Sequence, residues 1–94
     1  MVITGTWKKT SKNDCGEKYP ATIEFKQGGL FEAQAAENAT IHPLWDVGTY
    51  KIAKTKINIS TSNDAIISYD FTLQEKTLTI KDPEGCSIKF QRIL

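Results

Sequence analysis

Cys86-Ser87-Ile88-Lys89-Phe90-Gln91-Arg92 places Ile88 and Phe90 on one side of an extended chain and Ser87, Lys89 and Gln91 on the other. Val2-Ile3-Thr4-Gly5-Thr6-Trp7-Lys8 repeats the pattern near the opposite end, with Ile3, Gly5 and Trp7 on one side. A side-chain period of two is the mark of a strand with one buried face. Working inward from these two segments, the same alternation recurs at 20–26, 29–35, 47–53, 56–61, 65–73 and 77–82. With 2–8 and 86–92 that makes eight candidate strands, rich in β-branched and aromatic residues.

The connections carry turn chemistry. Gly28-Gly29 supplies residues that accept positive φ in a tight hairpin. Asp82-Pro83-Glu84-Gly85 presets a type I turn at the proline. Asn63-Asp64 and Glu75-Lys76 read as short turns, and at most one short helical turn is expected after the third strand. Sequential strands joined mostly by tight turns predict an all-β domain spanning 1–94, a small eight-stranded antiparallel up-and-down barrel. Pairing the first strand with the last removes both exposed edges.

Alternation assigns Ile3, Gly5, Trp7, Ile23, Phe25 and Phe31 to the interior. Ala21, Ala33, Tyr50, Ile52, Ile57 and Ile59 continue that face, and Ile67, Tyr69, Phe71, Leu73, Leu78, Ile80, Ile88 and Phe90 complete it. About twenty mostly large side chains are enough to fill a barrel of this size. The odd-numbered connections share one end and include both long loops, 9–19 and 36–46; the even connections, 27–28, 54–55 and 74–76, are short. Long loops on a rigid scaffold are the usual place for binding. A packed core without a large pocket is the favoured expectation; the alternative, from small residues at Ala33, Ala35 and Ala36 leading into the second long loop, is a shallow cavity there, flanked by Phe31, Trp45 and Tyr50. His42 lies in the same loop.

This topology also brings Cys15, after the first strand, beside Cys86, which opens the last. Two states stay open: a disulfide contributing about 4 kcal/mol by closing the intervening loop, or two free thiols in a reducing compartment. An exported protein with its leader removed is the expectation favoured over a cytoplasmic one.

Composition limits the function classes. The 94 residues are 39% hydrophobic and 24% charged with a net charge of +1, which gives no electrostatic case for nucleic acid or a membrane surface. No apolar stretch reaches the ~18 residues of a membrane helix. Most aromatics fall on the inward face, away from any stacking role on nucleic acid. His42 is the only histidine, without the partners that a metal site or a general base requires. Lys51, Lys54 and Lys56 cluster at the short-turn end and read as solubilising charge. The expectation is a non-enzymatic monomer or weak oligomer without cofactor or metal.

The Gly5-x-Trp7 start, the eight-strand meander and Arg92 on the last strand resemble the lipocalin-like, or calycin, barrels. The resemblance implies that Trp7 packs against Arg92 in a cation–π contact of ~0.5–2 kcal/mol. Trp45-Asp46-Val47-Gly48-Thr49-Tyr50 is similar to the Trp-x-x-Gly-x-Tyr stretch of short bacterial lipocalin-like domains. The chain is shorter than a typical secreted lipocalin and lacks its Thr-Asp-Tyr motif and C-terminal helix, which implies a smaller interior. The implied function is binding of a small hydrophobic or amphipathic ligand near Phe31, Trp45, Tyr50 and His42. A second resemblance is to small periplasmic metallopeptidase inhibitors, short barrels with a Gly-x-Trp start and one disulfide, which implies a protein partner. In that family an N-terminal arm enters the target's cleft; here only Met1 and Val2 precede the first strand.

Overall fold

The computed structural model describes residues 3–12, 14–35, 45–61 and 66–93. Eight strands follow in order: β1 (Gly5–Lys9), β2 (Thr22–Lys26), β3 (Leu30–Gln34), β4 (Val47–Ala53), β5 (Lys56–Thr61), β6 (Ile66–Gln74), β7 (Thr77–Lys81) and β8 (Ser87–Ile93). Each pairs with its sequence neighbours, and β1 closes on β8 to complete the antiparallel up-and-down barrel. The first long connection also holds a 3-10 turn, Asp14–Lys18, for which the sequence carries no periodic signal.

The register explains the core. Trp7 lies opposite Ile23 and Arg92, Phe25 opposite Phe31, Ile59 opposite Tyr50 and Ile67, and Leu78 opposite Leu73 and Phe90. Inward residues meet inward residues around the whole circumference, as a period of two requires. Trp7, Ile23, Ile57, Leu78, Ile80 and Ile88 are fully buried. Two large aromatics outside the strands join them: Tyr19, just after the 3-10 turn, and Trp45, just before β4. Both are nearly inaccessible. Ile52 departs from the expected inward set. It is 42% exposed, because pairing of β3 with β4 stops at Leu30 and Thr49 while β4 runs on to Ala53.

Two glycines permit close approaches. Gly48 lies against β5, where an added Cβ would overlap the Ser60 carbonyl oxygen and press on the Phe31 ring. Gly5 has φ of +131°, and a Cβ there would meet Arg92 Nη1 at 2.5 Å. The glycine of Gly5-x-Trp7 is therefore what lets the arginine lie across the tryptophan. The guanidinium sits 4.3 Å from the centre of the Trp7 ring, and Nη1 donates to the Thr4 carbonyl at 2.7 Å. Trp7 Nε1 donates to the Ile3 carbonyl at 2.8 Å.

Candidate functional site

The two ends of the barrel are built differently. At the long-loop end Trp45, Tyr69 and Tyr19 pack edge to face, with ring centres 5.2–6.1 Å apart. Phe31 extends the cluster, 6.0 Å from Trp45. Their polar atoms are satisfied internally, as burial requires. Trp45 Nε1 donates to the Tyr69 hydroxyl at 3.1 Å, and the Tyr19 hydroxyl donates to Asp82 Oδ2 at 2.6 Å.

Asp82, buried itself, also accepts from the backbone N–H groups of Glu84 and Cys86 at 3.0 and 2.8 Å. Burial pushes its carboxyl upward, but these donors, with Lys18 at 3.9 Å, outweigh it and hold it below the ordinary carboxylate range. The Tyr19 hydroxyl is driven up by burial first and then by its bond to Asp82. Cys15 and Cys86 form a disulfide that ties the 3-10 turn to the start of β8. Lys9 reaches the same segment, donating to the carbonyls of Gly16 and Tyr19 at 2.7 and 2.9 Å. Ring packing, a buried carboxylate and a covalent tie together brace this end.

The short-turn end is open on one side. The β4–β5 hairpin overhangs β3, and β6 overhangs β5, whose pairing stops at Lys56 and Asp70. One further bond, Phe71 N–H to the Thr55 carbonyl at 3.0 Å, closes that junction. The open side holds a pocket of about 380 Å³. Ile3, Ile52, Phe71 and Leu73 supply its apolar surface. Lys54, Thr55, Thr72 and Gln74 form the polar border.

Comparison with protein-family models, curated proteins and solved structures finds no match for this chain. Its function is therefore argued from the residues. Of the binding residues expected from sequence, Phe31 and Trp45 come together as buried members of the aromatic cluster. Tyr50 is half-buried and points to the other end, packing 4.8 Å from Phe25 and donating to the Lys26 carbonyl at 2.9 Å. His42 lies outside the described residues. Among the described residues no group of three His, Cys, Asp or Glu side chains is placed to hold a metal ion. No helix among them is long and apolar enough to cross a membrane.

The pocket's apolar residues were legible only as inward strand positions. What sequence reasoning missed is that Ile52, Phe71 and Leu73 reach past their neighbours. Stagger between strands is a property of the closed barrel and leaves no local signal.

Proposed function

We propose that this chain is a non-enzymatic binding module that takes a small hydrophobic or amphipathic ligand in the pocket at the short-turn end. The observation that carries the reading is the incomplete burial of Ile52, Phe71 and Leu73 around one cavity. A ligand seated there removes apolar surface from water at about 25 cal/mol per Å². A volume of about 380 Å³ falls within the range of small-molecule sites. The aromatic cluster and the Asp82 network among the described residues of the long-loop end suit a scaffold, and the lipocalin-like resemblance agrees with the class of ligand.

Displacement of an apolar fluorescent probe tests it. The wild-type protein is expected to bind the probe, Leu73→Asp to lose binding, and Trp45→Phe to retain it. Equal binding by wild type and Leu73→Asp would refute the placement.

A second reading, an interaction module such as a small periplasmic peptidase inhibitor, draws support from the outer wall. Leu30, Val47 and Ile66 are 52%, 50% and 72% exposed there. Titration of the oxidised protein into metallopeptidase assays addresses it. Stoichiometric loss of activity supports this reading, and unchanged rates at large excess count against it.

A further inference from the structure

We infer that the short-turn pocket recognises a charged head as well as an apolar tail: its ligand is an anionic single-chain amphiphile, with the carboxylate or equivalent group at Lys54. This rests on the binding-module reading above and adds the chemical class of the ligand.

The lining is divided by polarity. Ile3, Ile52, Phe71 and Leu73 offer no polar side-chain atom, and the one ionisable side chain among the lining residues is the Lys54 ammonium. Lys51 and Lys76 have no ion pair among the described residues but do not line the pocket, while other cations are engaged. Lys56 is bound to Asp70 at 2.7 Å, Lys26 to Glu32 at 3.0 Å, and Arg92 lies on Trp7. Lys54 has no ion-pair partner among the described residues. An ammonium at the edge of an apolar cavity, with no ion pair among the described residues, is the complement of an anionic head.

The turn backbone fixes where the lysine stands. Lys54 has φ of 59° and is the first residue of the two-residue turn between β4 and β5. Glycine is the favoured residue at such a site. Glu75, at φ of 51°, takes the same conformation in the β6–β7 turn, so the conformation places the lysine without marking a ligand. A lysine here sets an ammonium at the lip of the pocket, which glycine does not.

Calorimetric titration of the full chain with decanoate, decanol and decyltrimethylammonium tests the inference. Decanoate is expected to bind tighter than decanol by roughly two- to fivefold, the worth of an exposed ion pair, and decyltrimethylammonium more weakly than either. Lys54→Met removes the preference for decanoate over decanol, Lys54→Arg restores it, and added salt compresses it. Equal affinity for decanoate and decanol, or a preference that survives Lys54→Met, overturns the head assignment and leaves the apolar pocket standing. Failure of all three probes to bind overturns both. Sedimentation with phosphatidylglycerol vesicles, without any binding of monomeric decanoate, also overturns the inference, by assigning the charge to a lipid surface.

Discussion

Replacing Tyr19 with Phe removes one hydroxyl from the long-loop end and leaves the ring in contact with Trp45 and Tyr69, 5.8 and 6.1 Å away. What is lost is the 2.6 Å bond to buried Asp82. A hydrogen bond to a charged acceptor contributes about 1.5–3 kcal/mol, and one between neutral partners about 1 kcal/mol. The folded-state carboxyl lies below its unfolded value of about 3.9. Its stabilising contribution is therefore complete above that value and disappears as pH falls through the lower folded one. The expected cost of Tyr19→Phe is about 1.5–3 kcal/mol at pH 7, narrowing toward about 1 kcal/mol as Asp82 becomes protonated. Urea unfolding at a series of pH values, followed by tryptophan fluorescence, measures both numbers. A gap that stays constant into strong acid, or widens there, would refute the assignment of charge to Asp82.

Further predictions follow the same logic. Gly48→Ala drives a methyl group into the Ser60 carbonyl and should cost at least the ~1–3 kcal/mol of an overpacked core, read as a lowered urea midpoint. Reducing the Cys15–Cys86 bond should lower stability by about 4 kcal/mol in the chain-entropy model, with the melting temperature falling accordingly. Arg92→Met should cost about 0.5–2 kcal/mol through the lost contact with Trp7, checked by denaturant unfolding. Glu75, at φ of 51° in the β6–β7 turn, should gain up to about 1 kcal/mol on replacement by Gly, through relief of backbone strain. An unchanged midpoint would contradict that conformation.

Most of the barrel was legible because alternation is a local signal repeated eight times. Once Trp7 and Phe90 are assigned inward, the closure that places β1 beside β8 follows from the meander. Gly5, Trp7 and Arg92 were likewise readable as a unit, and the structure adds the reason for the glycine. Tyr19 and Trp45 were not recognisable as core residues, because each enters from a connection where no period operates. Asp82 read as part of a turn; its burial depends on Tyr19, sixty-three positions away. The pocket was hidden by the same rule that revealed the core. Ile52, Phe71 and Leu73 obey the inward period, and the offsets of β4 from β3 and of β6 from β5 leave them incompletely buried among the described residues.

The most direct test of the central claim is chemical-shift mapping of the backbone amides during titration with decanoate. The largest changes are expected on Ile52, Lys54, Thr55, Phe71 and Leu73, with Trp45 Nε1 and the Asp82 turn unmoved. Changes centred on Trp45, Tyr69 and Phe31, with the short-turn amides silent, would contradict it and place the ligand at the long-loop end.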